Sequence, residues 1–337
     1  MSALTTLGDM SRGFRVQNQV TSLKKQLEQS GYEVTTGQSS DLSRKLRGDF
    51  SQLGAIEAAL NRLDIHQNSL AESRSFVEAG QRALETIQDR AMTSGANLIT
   101  ASSSADSTVA GAIARDTRQA LNAVVSALNT QNAGRTIFAG MNTGSAAIAS
   151  GDAIMAGVLA DVSALTTADD IVAAVDAWFD DASGGFETSG YLGSTQSLGA
   201  FDLGLGQSTS FDFAADDSEI RDVLKGFVLG ALLDEFPLPL PASERQSLVR
   251  QSGERLLTAE KQLAQYRADV GTTEAAIETA SVRNASEASG LQLARAGIVG
   301  VDQYAAANTL EATQVQLEML YTITVRMSRL NLMEFLR

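Results

Sequence analysis

The sequence predicts a mainly α-helical protein: both chain ends form a long antiparallel helical coiled-coil rod, and a small α+β domain is inserted in the middle. Three observations lead to this fold class. Apolar residues recur at heptad spacing in both ends of the 337-residue chain, all three prolines lie within 237–241, and no lysine or arginine occurs between Arg135 and Arg221. Because proline interrupts helices, the long proline-free stretches on either side permit long helices.

The first predicted helix carries a narrow apolar stripe. Its members are spaced four, three and four residues apart, as in a heptad seam: Val16, Val20, Leu23 and Leu27. Gly31 and the polar stretch 35–40 then end the helix. We expect Ser40 or Asp41 to cap the next helix, because either side chain can accept a hydrogen bond from its free amides.

A longer seam follows and predicts a second helix. Its apolar members are Leu53, Ile56, Leu60, Leu63, Leu70, Val77 and Leu84. Polar side chains, Gln67, Arg74 and Gln81, occupy intervening positions of the same phase. Five heptads of one helix span about 50 Å at 1.5 Å per residue. The serine run at 102–104 ends the pattern, and a further helix is expected to continue towards Asn132.

The C-terminal third repeats the heptad pattern from Val249 to Ile277 and ends in a helix with a wide apolar stripe. The stripe consists of Leu310, Leu317, Leu320, Ile323, Met327 and Leu330. A single helix of this kind is marginal alone in water and requires a partner. The two terminal helices can bury each other within one chain, or they can pack against other subunits, and both arrangements remain open.

The middle of the chain is acidic and changes its periodicity. Residues 136–220 contain 13 acidic and no basic residues, which is typical of a solvated, self-repelling surface. Thr167 and Asp170 form a capping-box pattern before a short helix. Three segments are expected to be short strands: Ile137–Ala139, Phe201–Leu203 and Phe211–Phe213. Since the flanks of an insert must return to each other, 43–141 and 216–296 should pack side by side, and deletion of 145–212 should be tolerated in folding.

Composition excludes several functional classes. A net charge of −14 argues against nucleic-acid binding, and the lack of cysteine excludes disulfides, thiolate metal sites and thiol catalysis. The single histidine, His66, cannot form a histidine metal cluster. No signal peptide or apolar membrane-spanning stretch is visible. Gly204-Leu205-Gly206 lacks the context of a nucleotide-binding loop, and the acidic pairs lack calcium-loop spacing. We therefore expect neither enzymatic activity nor a cofactor nor a metal.

Two local motifs resemble those of a known family. Gly134-Arg135-Thr136-Ile137-Phe138-Ala139-Gly140 resembles the Gly-Arg-aromatic-Leu-Phe-(Ser/Ala)-Gly segment of the flagellar hook-associated protein 3 family, with Thr136 in place of the usual aromatic. Gly134, Arg135, Phe138 and Gly140 carry this signature. The ending from Leu310 to Arg337 resembles the C-terminal arm of the same family. The chain is thus similar to the hook–filament junction branch of the flagellin superfamily.

The resemblance implies a five-part, flagellin-like organisation. It comprises an N-terminal assembly helix (1–42), two halves of a helical rod (43–141 and 216–296), an acidic insert (142–215) and a C-terminal assembly helix (297–337). It implies a structural subunit of the bacterial flagellum, exported without a cleaved signal peptide through the flagellar type III channel to the hook–filament junction. There it would form a ring of about one helical turn of subunits.

The resemblance also implies partners and leaves two alternatives. Hook-associated protein 1 would lie on one side of the ring and flagellin on the other, and a cytoplasmic export chaperone would bind the chain before secretion. The terminal helices would order only on assembly. Neither nucleic-acid binding nor membrane insertion is expected. The alternatives are flagellin itself and, from another class, a coiled-coil binding module.

Overall fold

The computed structural model describes residues 2–103, 107–204, 206–235 and 240–335, with the backbone alone at 2–10, 12, 107–108, 235 and 327–335. Contacts between residues divide the chain into two compact units. The first combines Met1–Asp64 with Ala285–Arg337, and the second is Ile65–Asn284. We refer to them as the terminal unit and the central unit. Pro237 and Pro239 of the proline segment lie outside the described residues.

Helices dominate the fold. They are α1 (Ser2–Thr36), α2 (Leu42–Lys45), α3 (Ser51–Ser102), α4 (Ser107–Leu128), α5 (Gly151–Val162), α6 (Ala168–Asp180), α7 (Ser218–Glu235), α8 (Ala242–Val299) and α9 (Gln303–Phe335). One turn of π-helix spans Phe186–Gly190. At 52 residues, α3 is about 78 Å long. The mainly α-helical class predicted from the heptad spacing is confirmed.

The terminal unit is built on an antiparallel pair of helices. The end of α1 meets the start of α9, because Gln38 and Gly300 form an antiparallel bridge just beyond these helix ends. From there the two helices pack along each other. Asp41 caps the next helix as expected, but that helix is only the four-residue α2. The long α3 begins later, where the Asp49 carboxylate accepts hydrogen bonds from the amide and hydroxyl of Ser51.

In the central unit, the helices approach one another closely at small residues. A Cβ atom added to Gly230 of α7 would lie 2.8 Å from Thr117 of α4, 2.9 Å from Ser252 of α8 and 3.3 Å from Leu98 of α3. The Ser252 hydroxyl donates a 2.8 Å hydrogen bond to the carbonyl of Gly226. Four helices therefore meet at one level, and glycine is needed there because a side chain would push them apart.

A ladder of polar side chains joins α3 to α8 within the central unit. The amide of Gln67 bonds Ser281 and Asn284, and the Arg74 guanidinium pairs with Glu278 at 2.7 Å. One heptad further, Gln81 donates to the carbonyl of Arg267 at 2.9 Å, and Gln88 donates to Glu260 at 2.7 Å. These hydrogen bonds show that α3 and α8 pack side by side, as expected for 43–141 and 216–296.

The insert contains α5, α6, the π-turn and one antiparallel hairpin, β3 (Ala200–Gly204) with β4 (Gln207–Ser210). It shares one hydrophobic cluster with α3, α4, α7 and α8. The Phe211 ring lies 5.3 Å from that of Phe76 on α3, and both are buried. The insert thus belongs to the same core as the surrounding helices, because its aromatic side chains fill the space beside α3.

The strand predictions are partly wrong. Phe201–Leu203 lies within β3, as predicted, but Phe211–Phe213 follows β4 and pairs with no strand. The earlier hairpin consists of β1 (Gln131–Asn132) and β2 (Arg135–Thr136), so its second strand ends just before the predicted Ile137–Ala139. In both cases the apolar side chains lie on irregular backbone next to a strand and point into the core. Their sequence pattern therefore resembles that of a strand.

Candidate assembly surface

The predicted assembly residues of α1 and α9 lie along the contact between the two helices. Leu23 is buried, with 8% of its surface exposed. The other described members of the two stripes, apart from Ile323, are half-buried: Val16, Val20, Leu27, Leu310, Leu317 and Leu320. The side chains of Met327 and Leu330 lie outside the described residues. The two stripes are therefore brought together within one chain, which was one of the two open arrangements.

Small and hydroxyl side chains form the tightest part of this contact. Ser30, Ala306 and Thr313 are buried, and the Thr313 hydroxyl donates to the carbonyl of Thr309 at 2.7 Å. A search for apolar residues overlooks Ser30 and Thr313. Their spacing is the only sequence signal: Ser30 follows Leu27 by three residues, and Thr313 follows Leu310 by three, so both continue the heptad seam.

Backbone hydrogen bonds fix the junction between the two helices. The Ser39 amide donates to the Val299 carbonyl at 2.8 Å, and the Val301 amide donates to the Gly37 carbonyl at 2.9 Å. Gly37 has φ +68°, and a Cβ atom there would lie 3.2 Å from the Gln303 side chain. Lys45 also donates its ammonium to the carbonyl of Gly300. The stretch 37–45 is thus tied to the start of α9.

Apolar side chains also cover the faces of α1 and α9 that point away from their contact. On α9, Val315, Met319 and Ile323 follow one another every four residues and are 51%, 54% and 51% exposed. On α1, Phe14 and Tyr32 are 68% and 49% exposed. Of these five residues, only Ile323 belongs to a stripe that the heptad pattern predicts. The α9 residues recur every four positions, which is a helical spacing visible in the sequence. Val315 and Met319 nevertheless lie outside the heptad phase of the predicted stripe.

A helix in a folded protein normally buries its apolar stripe and exposes its polar face. Here α9 buries one face against α1 and leaves Val315, Met319 and Ile323 in water. Burying one such side chain contributes about 1.5–3 kcal/mol, so several of them favour association strongly. The pair of helices therefore offers an apolar surface suited to contacts with further helices.

The segment 134–140 forms part of the packed interior rather than of the terminal helices. Phe138 is fully buried, and Gly134 and Gly140 have φ +77° and +57°. A Cβ atom on Gly140 would come within 2.2 Å of the Ser194 carbonyl oxygen, so only glycine fits. Thr136 is also fully buried, and its hydroxyl donates a 2.6 Å hydrogen bond to the carbonyl of Ser145.

Gly134 and Arg135 are the exposed residues of this segment, and Arg135 carries its exposed side chain. Its guanidinium lies 5.4 Å from the centre of the Phe76 ring, at the tip of the β1–β2 hairpin. The four signature residues therefore have two roles in the structure. Gly134, Phe138 and Gly140 satisfy backbone and packing requirements, whereas Arg135 faces outwards and is available to a partner.

Ion pairs attach the acidic insert to the helices beside it. Lys225 of α7, only 5% exposed, donates to Asp180 at 2.6 Å and to Asp222 at 2.9 Å. Arg255 of α8 pairs with Asp176 of α6, and the hydrogen bond to this carboxylate raises the pKa of the guanidinium. Several acidic residues of the insert thus neutralise basic residues of α7 and α8.

Within the described ranges, no group of three or more potential metal ligands is found. No helix in this part of the chain is long and apolar enough to cross a membrane. His66 is part-buried, and its Nδ1 atom lies 3.9 Å from the Asp202 carboxylate at the β3–β4 hairpin. Leu205 of the Gly-Leu-Gly sequence lies outside the described residues. Gly204 and Gly206, on either side of it at the hairpin turn, both have positive φ.

Comparison with known proteins gives a family match at the C-terminal end and a similar fold for most of the chain. Residues 255–336 match the family described as bacterial flagellin C-terminal helical region. No curated protein matches the sequence. The fold is similar to the solved structure of a protein described as a flagellar hook-associated protein from Vibrio parahaemolyticus, with a TM-score of 0.52 and 10% sequence identity. This similarity covers 73% of the present chain and 95% of the other. The family match thus covers part of α8 and α9, and the structural similarity is a likeness of fold.

Proposed function

We propose that this flagellin-like chain is a subunit of the ring that joins the hook of the bacterial flagellum to its filament. The observation that carries the proposal is the apolar surface of the terminal helices. Val315, Met319 and Ile323 of α9 point into water in the single chain, although α9 already buries its opposite face against α1. Copies that pack these helices side by side would remove the exposed surface from water.

A position at the junction, rather than along the filament, is supported by the segment 134–140. Its Gly-Arg and Phe-Ala-Gly elements resemble the hook-associated protein 3 family, and the fold is similar to a protein described as hook-associated. Flagellin itself is the second candidate, because the family match at 255–336 is to a flagellin C-terminal region. The two candidates share an assembly mechanism and differ in the neighbours of the assembled subunit.

In this proposal the chain has the five parts and the partners that its resemblance to the family implies. Residues 1–42 and 297–337 are the assembly helices. In the single chain α1 and α9 bury one face against each other, and their ordering is completed as copies associate and cover the other face, which offsets the loss of conformational entropy. The ring contacts hook-associated protein 1 on one side and flagellin on the other. Before that, a chaperone binds the chain in the cytoplasm and the flagellar type III channel exports it to the extracellular junction.

Deletion of the gene in the source organism tests the proposal. We expect electron microscopy to show bare hooks, and an immunoassay to find unassembled flagellin in the medium, because the filament has lost its attachment point. Bare hooks without external flagellin would instead favour the filament-subunit alternative. Normal filaments would contradict both. Re-expression of the intact chain is the control, and it should restore filaments.

A further inference from the structure

A groove of about 700 Å³ lies in the central unit, and none of its lining residues belongs to the terminal helices. Glu72 and Phe76 of α3 form one wall, Asn132 and Arg135 of the β1–β2 hairpin form the second, and residues 198–201 at the start of β3 form the third. The proposed assembly through α1 and α9 does not use it. Its volume lies within the roughly 300–1,000 Å³ range of binding clefts in proteins.

The hairpin wall is held rigidly in a strained conformation. The Asn132 side-chain amide donates to the carbonyl of Ser75 at 3.0 Å and to its hydroxyl at 2.9 Å, which fixes the hairpin to α3. Ala133, at the turn, has φ +49°, a left-handed conformation that is unfavourable for a non-glycine residue. Such strain is found preferentially at functional sites. The turn therefore presents Arg135 in a preorganised position.

Arg135 offers a positive charge that the described residues of its own chain leave without an ion-pair partner. In the part of the chain that the structure describes, no carboxylate lies within 4 Å of it, although Glu72 lines the same groove. A cation–π contact with the buried Phe76 ring, whose centre lies 5.4 Å from the guanidinium carbon, helps to hold the guanidinium in place. A fixed guanidinium has a planar fork of donors that matches a carboxylate.

The third wall can contribute backbone hydrogen bonds. Within the described residues β3 pairs with one strand only, β4, so it is the edge strand of its hairpin. Ala200 and Phe201 of this strand line the groove. Edge strands offer unpaired amide and carbonyl groups, and proteins commonly recognise extended peptide segments through them. The groove thus combines a carboxylate-binding side chain with a wall formed by the start of an edge strand.

The acidic module, residues 136–220, supplies the complementary chemistry. It contains no lysine or arginine to neutralise its 13 acidic residues. Asp161 and Asp181 are exposed, and their side chains make no hydrogen bond or ion pair in the described ranges. Asp181 follows α6 with an extended backbone, φ −70° and ψ 136°. It begins a short turn, closed by a 2.7 Å hydrogen bond from the Gly184 amide to the Asp181 carbonyl, whose residues 181–183 are exposed and can project into a groove.

We propose that the Arg135 groove binds the acidic module of a neighbouring copy of this chain, with Asp161 or Asp181 of that copy paired to Arg135. Such a contact joins two different surfaces, as a ring or helical assembly requires. It rests on the proposed function, because only an assembling chain presents copies to one another. It goes further in assigning the central unit a specific contact between subunits.

Photocrosslinking between copies tests this contact directly. A benzoyl-phenylalanine at Ala71, an exposed residue lining the groove, is introduced into the full chain, which is mixed with isotope-labelled copies under conditions where the chain associates. We expect mass spectrometry to find crosslinks from Ala71 to residues 152–187 of the other copy. The same photoreactive residue at Ala96, exposed on α3 but outside the groove, should give none.

Exchange of charges then identifies the pair. Arg135→Asp should reduce the crosslink yield several-fold, and a partner copy carrying Asp161→Arg and Asp181→Arg should restore it, with unchanged circular dichroism in both variants. Three results would overturn this inference alone: crosslinks to another region, no crosslinks in a chain that associates, or no recovery of the crosslinks with the exchanged charges. A chain that does not associate under any condition would overturn the proposed function as well.

Discussion

At the scale of single residues, burial changes the chemistry of two neighbouring carboxyl groups. Asp217 accepts hydrogen bonds from the Tyr266 hydroxyl at 2.5 Å and from the Ala214 amide at 2.9 Å. Burial nevertheless raises the pKa of Asp217 above its ordinary value of 3.8, and it raises the pKa of Asp216 in the same way. Burial also raises the pKa of Tyr266, so this hydroxyl keeps its proton and remains a donor.

The raised pKa of Asp217 predicts a pH-dependent stability. A carboxyl that binds its proton more tightly in the folded chain stabilises the fold below its unfolded pKa, and this contribution is lost as the pH rises through the folded pKa. We therefore expect Asp217→Asn to flatten the dependence of stability on pH above about 3.8, since the amide oxygen can still accept both hydrogen bonds.

Urea unfolding of the wild type and of Asp217→Asn at pH 4 and pH 7 checks this expectation. The difference between the two midpoints should be smaller in the variant than in the wild type. Asp161→Asn, which removes an exposed carboxylate without a hydrogen-bond partner in the described chain, is the matched control. An equal difference in the wild type and Asp217→Asn would show that burial does not govern this carboxyl.

At the scale of elements, the helices of the central unit are specified by contacts of two kinds. The ladder of Gln67, Arg74 and Gln81 fixes which residues of α3 and α8 lie opposite each other, because a shifted register would leave these polar groups without partners. Glycines such as Gly230 then allow α7 to come close to its neighbours. The apolar heptads alone would permit several registers.

Gly230→Ala should destabilise the central unit. The added methyl would lie within 3.3 Å of three side chains on three helices, and overpacking of this kind costs about 1–3 kcal/mol. The control is Gly111→Ala in α4, where nothing lies within 4 Å and the helix should gain roughly 0.5–1 kcal/mol. Chemical denaturation measures both. Equal effects in the two variants would contradict a close approach at Gly230.

The outward face of α9 gives a second prediction at this scale. Val315→Asp with Met319→Asp should abolish association of the full chain while leaving its helical circular dichroism unchanged, because both side chains point away from α1. Gln314→Asp with Gln316→Asp adds the same charge at exposed polar positions and should associate normally.

Substitutions on the inward face of α9 test the contact with α1 as well as association between copies. Leu317→Asp with Leu320→Asp lies at the contact with α1, so it should disrupt both association and the α1–α9 pair. Sedimentation velocity and motility of strains carrying each variant provide the measurements. Normal association of the Val315 and Met319 variant would remove the main support for assembly through α9.

At the scale of the whole molecule, the charge distribution and the core divide the chain differently. Charge isolates residues 136–220 as an acidic module. The hydrophobic cluster, in contrast, runs from that module into α3, α4, α7 and α8 without interruption. Ion pairs of Asp176 with Arg255 and of Asp180 with Lys225 reinforce this continuity. Composition thus reports surface chemistry, whereas folding units are defined by shared apolar contacts.

The shared core changes the expected effect of removing the insert. Deletion of 145–212 and closure with a short glycine–serine linker should lower the melting temperature of the chain substantially, because the Phe76 ring loses Phe201 and Phe211, and Lys225 loses Asp180. The sequence alone had suggested a tolerated deletion. Thermal unfolding followed by circular dichroism decides between a tolerated and a destabilising deletion. An unchanged melting temperature would show that the insert folds independently.

The sequence by itself determined the helical class, the stripes on the terminal helices and local caps such as Thr167, whose hydroxyl accepts from the Asp170 amide at 3.2 Å. These features depend on residues close together in the chain, so periodicity and side-chain type suffice to predict them. Only the tertiary structure decided that α1 and α9 pair within the chain, that Phe211 belongs to the core beside α3, and that Arg135 borders a groove. Each depends on residues distant in sequence, whose approach local propensity does not encode.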